Sequence, residues 1–210
     1  MKIDKREVQR YMGFRNGTSA LSAEALEELD TRTEDAIRRV LEAASPKNTW
    51  AAYPLSFLED APDAAGQTGI RIGPVRVYSR DLAKNLEGCT EAVLLACTLG
   101  LGPDRLVRMC GTRSLFRAAL YQAAGAAAIE AYTDDVNEEI RASAASRRMA
   151  AKPRYSPGYG DLSLEMQKDI FELLKLPKTI GLTLTDSLLM VPTKSVTAVI
   201  GLMPEEGVPG

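Results

Sequence analysis

The feature that most constrains the fold is a continuous apolar run, AVLLACTLGLG, at residues 92–102. Its length suits a buried strand and is far below the roughly 20 apolar residues that a membrane-spanning helix needs. Gly100 and Gly102 end the run, and a long helical pattern follows from about Thr112 to Arg148. The middle of that pattern, ALYQAAGAAAIEAY, is rich in small side chains. The sequence therefore predicts a buried strand and then a long helix whose axis another element can approach closely.

Further patterns place helices and strands on both sides of that core. Helices are predicted over residues 4–12, 22–44, 80–86 and 163–175. Strands are predicted over 53–57, 70–78 with a break at Gly73-Pro74, 179–192 and 195–202. Ser79 is expected to cap the helix at 80–86, and Asp161 or Ser163 the helix at 163–175. Pro54 favours an edge position for the first strand. The order of elements indicates an α+β protein rather than a regular βαβ alternation.

The absence of histidine limits the chemistry of this chain of 210 residues. Catalysis by Ser-His-Asp or Cys-His, zinc chemistry of the H-E-x-x-H type and an imidazole ligand to a metal or corrinoid are all excluded. The three cysteines, Cys89, Cys97 and Cys110, form no C-x-x-C pair and are expected to be small core residues. Any chemistry must therefore use carboxylates, tyrosine, arginine or a bound cofactor, and we expect no metal site.

The net charge and the N-terminal residues indicate which partners and which cellular compartment to expect. The net charge of -2 lacks the basic excess of nucleic-acid-binding proteins, and the cluster Arg147, Arg148, Lys152 and Arg154 supports that function only weakly. The N-terminal residues MKIDKREVQRYMGFR are charged throughout and lack the apolar segment of a secretory signal. We therefore expect a cytoplasmic protein that binds neither nucleic acid nor membrane.

The stretch PRYSPGYGD at residues 153–161 has the composition of a loop that could bind a ligand. Gly158 and Gly160 allow the backbone to come close to a ligand, and Arg154 can bind a carboxylate. Two tyrosines offer aromatic faces and hydroxyls, and a helix start after the loop offers unpaired N–H groups to an anion. A small anionic or zwitterionic ligand would suit these groups. On the loop residues alone, however, a plain connecting loop with a surface arginine is the preferred interpretation.

The loop and the segment after it resemble a known family. An Arg-x-x-Pro-Gly-Tyr loop precedes a helix, a Leu-Thr-acid-Ser segment that ends in Met-x-Pro, and a Ser-Val strand. The matching residues are Arg154, Pro157, Gly158, Tyr159, Leu184, Thr185, Asp186, Ser187, Met190, Pro192, Ser195 and Val196. This order resembles the activation (reactivation) domain of vitamin B12-dependent methionine synthase, and more closely its short stand-alone relatives. Including ACTLGLGPDRL and the small-residue helix, the resemblance covers residues 90–202.

The resemblance implies the architecture in more detail. We expect a single compact α+β domain in which long central helices pack on a small, mainly antiparallel sheet. Residues 1–89, which match only loosely, would form an N-terminal helical and strand part of the same domain. Residues 90–202 would form the activation-domain-like core, and residues 203–210 a tail.

The resemblance also implies a site for S-adenosylmethionine. The implied ligand-binding residues are Arg154, Tyr155, Pro157, Gly158, Tyr159, Glu130 and Asp186. Arg154 would bind the carboxylate of the methionine moiety, Glu130 on the long helix its ammonium group, and the backbone of residues 155–159 the adenine edge. A sulfonium also favours an aromatic face. A strand-end role for Asp186 and a helix-capping role for Asp161 stay open, and no residue is expected to act as a catalytic acid or base.

The function that the resemblance implies is the repair of a corrinoid cofactor. Cob(II)alamin, an oxidised and inactive form, would be returned to use by one electron and a methyl group from S-adenosylmethionine. The cobalamin would belong to a partner, either a methionine synthase lacking its activation domain or another corrinoid methyltransferase. Flavodoxin or ferredoxin would donate the electron. The chain would thus be one component of a methyl-transfer reaction in methionine biosynthesis, rather than a self-contained enzyme.

A second class of function stays open, namely a non-catalytic interaction subunit or a sensor of S-adenosylmethionine in a corrinoid methyltransferase system. The family's long form has a further tyrosine beyond the last strand that reaches the ligand. No tyrosine follows Tyr159 in this sequence, so that contact is missing or replaced. Ligand binding and methyl transfer therefore have to be tested separately.

Overall fold

The computed structural model of the protein describes residues 1–14, 22–58 and 67–205. The helices are Lys5–Tyr11 (α1), Ala23–Ala43 (α2), Arg80–Asn85 (α3), Leu101–Gly111 (α4), Leu115–Ala145 (α5), Met166–Leu173 (α6) and Leu176–Thr179 (α7). The strands are Lys47–Phe57 (β1), Gly69–Ile72 (β2), Val75–Tyr78 (β3), Glu91–Thr98 (β4), Met149–Ala151 (β5), Thr183–Leu184 (β6), Met190–Val191 (β7) and Ser195–Pro204 (β8). The predicted α+β class is confirmed.

The described strands form a six-stranded sheet in the order β3-β2-β1-β4-β8-β5 and a separate two-stranded sheet of β6 and β7. The pairs β1–β2, β2–β3 and β5–β8 are antiparallel. Leu55 lies opposite Ile72 in the first of these pairs, and Ala151 lies opposite Leu202 in the last. The prediction of a mainly antiparallel sheet is therefore confirmed.

The apolar run at 92–102 forms β4 up to Thr98, and residues 92–98 of this strand are buried. Cys97 lies within it and Cys89 just before it, and both are buried free thiols, as expected of small core residues, whereas Cys110 on α4 is only half-buried. Burial raises the pKa of the Cys89 thiol. None of the helices in the described ranges has an apolar segment long enough to cross a membrane.

Pro54 does not mark an edge strand, and that prediction was wrong. β1 lies between β2 and β4 in the sheet. The pairing of β1 with β2 begins at Leu55, and the carbonyl of Pro54 accepts a hydrogen bond from the N–H of Gly73 at 2.9 Å. A proline is tolerated here because its missing N–H falls where the ladder begins.

The predicted strand at 179–192 is also wrong, because the segment turns back on itself. It begins at the end of α7, and Gly181 and Leu188 adopt left-handed φ angles of 70° and 62°. The hydroxyl of Thr185 accepts a hydrogen bond from the N–H of Leu189 at 3.0 Å. The result is the short pair β6–β7, whereas the following prediction, a strand at 195–202, is confirmed by β8.

Contacts divide the chain into two compact units that are interleaved in sequence. The first comprises Met1–Lys47, Cys97–Asp135 and Met190–Ser195, and the second comprises Asn48–Ala96, Val136–Leu189 and the segment from Val196 onward. The domain boundaries predicted after residues 89 and 202 stay a prediction.

The first unit uses the small residues of its helices for close packing. An added Cβ at Gly102 of α4 would overlap the carbonyl oxygen of Ala43 at the end of α2. An added Cβ at Gly125 of α5 would lie 2.7 Å from Cε of Lys194. The Ala- and Gly-rich centre of α5 thus admits a close neighbour, as the sequence predicts, and the neighbour is a lysine side chain.

Candidate functional site

The stretch at 153–161 is held against β8 in the second unit. The N–H of Tyr155 donates to the carbonyl of Val199 at 2.8 Å, and the N–H of Val199 donates back to the carbonyl of Tyr155 at 2.8 Å. Slightly earlier, the N–H of Lys152 donates to the carbonyl of Gly201 at 2.8 Å. Arg154 stands between these two attachments, so its backbone is fixed on both sides.

The far end of the stretch is held by Asp161, which caps α3. The carboxylate of Asp161 accepts hydrogen bonds from the N–H groups of Arg80 at 2.8 Å and Asp81 at 3.1 Å, and from the hydroxyl of Ser79. The Ser79 hydroxyl in turn accepts from the N–H of Leu82 at 2.9 Å, which confirms Ser79 as the cap of this helix. These bonds, led by that of Ser79, hold the pKa of Asp161 below its usual range.

The structure thereby corrects two expectations about the helix after the loop. Asp161 does cap a helix, but the helix is α3 and not the one that follows it in sequence. α6 begins at Met166, and before it the hydroxyl of Ser163 accepts a hydrogen bond from the N–H of Glu165 at 3.2 Å. Because α6 begins only at Met166, the loop does not lead directly into a helix N-terminus that could bind an anion. The N-terminus that meets the loop is that of α3, and its first N–H groups already bind Asp161.

The two glycines of the loop occupy their positions for different structural reasons. Gly160 has a left-handed φ of 52°, and an added Cβ there would collide with the carboxylate of Asp81 and the hydroxyl of Tyr155. Gly158 has a φ of 91°, and an added Cβ there would lie 3.2 Å from one side-chain atom, Cδ1 of Leu164. Sterics and φ together therefore require Gly160, whereas at Gly158 the φ angle alone favours glycine. Gly158 lies in an exposed turn, and its N–H donates to the carbonyl of Leu162 at 3.0 Å.

The two tyrosines are also placed differently. The Tyr155 hydroxyl donates to the carbonyl of Tyr159 at 3.3 Å, and burial, then the charges of Asp81 and Asp161, raises the pKa of Tyr155. The Tyr159 side chain is 69% exposed, while Pro157 between them is buried. Tyr155 thus supports the loop, and Tyr159 is presented to solvent. The backbone groups of Tyr155 are both used by Val199, so an adenine edge would be left to the residues after it.

The acidic residues predicted for the site lie in other elements. Asp186 is exposed in the turn between β6 and β7, where the neighbouring hydroxyls of Thr185 and Ser187 share a hydrogen bond of 3.0 Å. Glu130 is half-buried on α5 in the first unit. Its charge, after burial, raises the pKa of Tyr11 on α1. The structure thus brings the five loop residues together, and the ligand contacts of Asp186 and Glu130 stay predictions.

Sequence reasoning missed Lys194, a charged residue inside the first unit. Its side chain is 4% exposed, and the carbonyl of Lys194 accepts a hydrogen bond from the N–H of Leu99 at 2.9 Å. Burial lowers the pKa of the Lys194 ammonium, and the charge of Asp104 partly opposes this. The Pro-Thr-Lys sequence is typical of an exposed turn and does not predict that the lysine is buried. Gly125 in the middle of a helix did indicate that a neighbouring group packs closely against α5 at that point.

The fold places the chain among α+β proteins in which helices accompany a mainly antiparallel sheet, and the loop at 153–161 is held at both ends. The family model described as vitamin B12 dependent methionine synthase, activation domain, matches residues 94–206. This match covers more than half of the chain and includes β4 from Leu94 onward, α5 and the loop. The chain belongs to that family.

A comparison of structures agrees with this assignment. The crystal structure of the MetH reactivation domain bound to AdoHcy superposes with a TM-score of 0.68 and 16% sequence identity. The alignment covers 99% of this chain and 76% of that chain. At this identity the likeness establishes the shared fold. A search among curated proteins found no match.

Proposed function

We propose that the chain binds S-adenosylmethionine at the loop of residues 153–161 and supports reductive methylation of cob(II)alamin in a partner corrinoid methyltransferase. The observation that carries the proposal is the anchoring of this loop at both ends, which presents Arg154 and Tyr159 between two fixed points. Membership of the activation-domain family supports it, since the matched residues 94–206 include the loop. The similar MetH domain was crystallised with AdoHcy.

Arg154 is the group for the carboxylate of the methionine moiety. A guanidinium offers paired donors that match the two oxygens of a carboxylate, and such charge-assisted bonds are stronger than neutral ones. Because the Tyr155–Val199 bridge holds the adjacent backbone at two 2.8 Å hydrogen bonds, little ordering is needed when a ligand binds.

Tyr159 is the group for the sulfonium or the adenine ring. Its exposed ring can stack on a flat heterocycle or present its face to a positive charge. Gly158, in the exposed turn beside it, lets the backbone approach the ligand. Tyr155 and Asp161 would contribute by holding this turn in place.

The role of the chain in the reaction is positioning. Bound S-adenosylmethionine supplies the methyl group, and the loop residues hold it in one orientation and shield it from water, which can be worth several kcal/mol of the barrier. Because the sequence has no histidine, an imidazole ligand to cobalt has to come from the partner. We propose methionine synthase as the first partner to test and a flavodoxin or ferredoxin as the electron donor.

Titration calorimetry with S-adenosylmethionine tests the binding step. We expect Arg154→Ala to weaken binding about ten- to a hundredfold, since a charge-assisted pair is lost. Lys152→Ala is the matched control, because it removes a neighbouring cation while its backbone bond to Gly201 remains. Absence of heat with the unaltered protein, or equal affinity in both variants, would refute the proposed site.

A second assay tests the reaction. Purified chain, S-adenosylmethionine and a reductant are added to a methionine synthase that lacks its activation domain, and methylcobalamin is followed by its absorbance. Recovery that depends on Arg154 supports the reactivation function. Binding without recovery, for every corrinoid partner tested, would instead favour the sensing or interaction subunit.

A further inference from the structure

The corner between α4 and α5, residues 105–117, carries an unbalanced positive charge. No aspartate or glutamate occurs between Arg105 and Ile129, although the chain as a whole has a net charge of -2. The same corner carries four exposed arginines, Arg105, Arg108, Arg113 and Arg117. The positive charge is therefore concentrated in the α4–α5 corner of the first unit.

These arginines differ from those of the neighbouring helix. On α2, Arg38 pairs with Glu42 at 2.9 Å and Arg39 with Asp35 at 2.8 Å. No carboxylate of the described residues forms an ion pair with any arginine of the α4–α5 corner. On α2 the guanidinium charges are balanced within the helix, whereas at the corner they are available to an external partner.

Apolar side chains lie among these charges. Met109 is 69% exposed and Leu115 is 80% exposed. Because residues four apart share a helix face, Met109 lies beside Arg105 on α4, and Arg108 precedes it in sequence. Methionine, aromatic residues and arginine are enriched in protein interfaces, where an apolar centre is surrounded by polar groups.

We propose that the α4–α5 corner binds a partner protein through a surface on which carboxylates surround an apolar centre. The proposal goes beyond the S-adenosylmethionine function and does not depend on it. Arginines that form no ion pair with a described carboxylate would gain ion pairs on binding and would speed association with an acidic surface. Met109 and Leu115 would lose their contact with water at the centre of the interface.

Two other partners fit the same surface less well. Single-stranded nucleic acid is usually held by exposed aromatic rings that stack on bases, but the ring of Phe116 already has the guanidinium of Arg32 at 5.7 Å from its centre. Membrane insertion needs a broad apolar helix face, and the opposite side of α4 is packed on α2 at Gly102. An acidic protein surface matches both the charge and the small apolar centre.

A synthetic helical peptide with a leucine stripe flanked by glutamates serves as the probe, and fluorescence anisotropy measures its binding to the full chain. We expect binding that weakens as salt is added, because the charges are exposed. The double variant R108E/R113E should bind at least about tenfold more weakly, and it should gain affinity for the same peptide with lysine in place of glutamate. Met109→Asp should also weaken binding, and circular dichroism confirms that each variant is folded.

The matched control is R71E/R76E, which reverses two exposed arginines on β2 and β3 in the second unit and should bind the acidic peptide normally. No binding of the acidic peptide, or equal binding by R108E/R113E, would overturn the proposal. So would tighter binding of single-stranded RNA of the same charge, or of anionic lipid vesicles. Self-association of the chain that R108E/R113E abolishes would identify a second copy as the occupant and would also overturn it.

Discussion

At the residue scale, Asp161 shows how one side chain supports a loop and a helix together. Its carboxylate accepts from Ser79 and from the N–H groups of two residues at the start of α3. The loop at 153–161 is therefore tied to an element that lies about 80 residues earlier in the chain. A capping bond of this kind is worth about 1 kcal/mol, and a charged acceptor strengthens it.

Asp161→Asn should lower the free energy of unfolding by about 1–2 kcal/mol at neutral pH. The folded pKa of Asp161 is lowered, so its stabilisation is present above the unfolded pKa of about 3.9 and is lost as pH falls through the folded pKa. The difference between variant and unaltered protein should therefore shrink in acid. Urea unfolding across the acidic pH range measures it.

Asp169 on α6 is the matched control, because its pKa is shifted in the opposite direction to that of Asp161. Burial, then the charge of Glu172, raises the pKa of Asp169, so its ionisation weakens the fold as pH rises. Asp169→Asn should leave the protein as stable as before or more stable at neutral pH. Equal pH slopes for the two asparagine variants would contradict this account of Asp161.

Lys194 provides the second prediction at the residue scale. Burial lowers its folded pKa below the usual 10.5, so the unfolded chain binds more protons and stability should rise as pH increases between the folded and the unfolded pKa. Lys194→Met keeps a stem of similar shape beside Gly125 and removes the charge. We expect this variant to be at least as stable as the unaltered protein at neutral pH, and to lose the rise at alkaline pH.

Denaturant unfolding from about pH 7 to about pH 10 measures this effect. Lys168→Met, on the exposed side of α6, is the control and should leave the pH profile unchanged. A large loss of stability in Lys194→Met at neutral pH would contradict the prediction, because it would mean that the buried ammonium has a strongly favourable partner.

At the element scale, the first unit depends on how closely α4 approaches the end of α2. Gly102→Ala would drive a methyl group into the backbone carbonyl of Ala43, and backbone cannot move aside as a flexible side chain can. We expect this variant to lose about 2–3 kcal/mol of unfolding free energy, the usual cost of overpacking.

Gly111 gives a control within the same helix. An added Cβ at Gly111, the last residue of α4, meets no described atom within 4 Å. Gly111→Ala should change the free energy of unfolding by less than about 1 kcal/mol, in the stabilising direction, because alanine favours the helix. Equal losses for the two variants would show that helix propensity, and not the contact with Ala43, determines the effect of Gly102→Ala on stability.

At the scale of the whole molecule, ligand binding should appear as added stability. A ligand that binds the folded chain and not the unfolded chain stabilises it by about 2.7 kcal/mol at a concentration a hundred times its Kd. We therefore expect S-adenosylmethionine to raise the unfolding temperature, and Arg154→Ala to lose about half of the shift or more. An equal shift in Arg154→Ala would place the ligand somewhere other than the loop.

The predictions that succeeded depend on residues that are near each other in the chain. The apolar run of β4, the Ser79 cap of α3 and the helices α1 and α2 follow from local spacing and capping chemistry. The strand predicted at 179–192 failed because backbone turns at Gly181 and Leu188 outweighed an apolar pattern. Alternation of apolar residues alone does not separate one strand from two short ones joined by a turn.

The sequence by itself determined the absence of imidazole chemistry, the buried strand and long helix, and the ordered motif that identifies the family. The tertiary structure decided which helix Asp161 caps, why Gly160 must lack a side chain, why Pro54 sits inside a sheet and why Gly125 faces Lys194. The physical reason is the distance along the chain. Propensity and capping act over a few residues, whereas each of these contacts joins groups that become neighbours when the chain is packed.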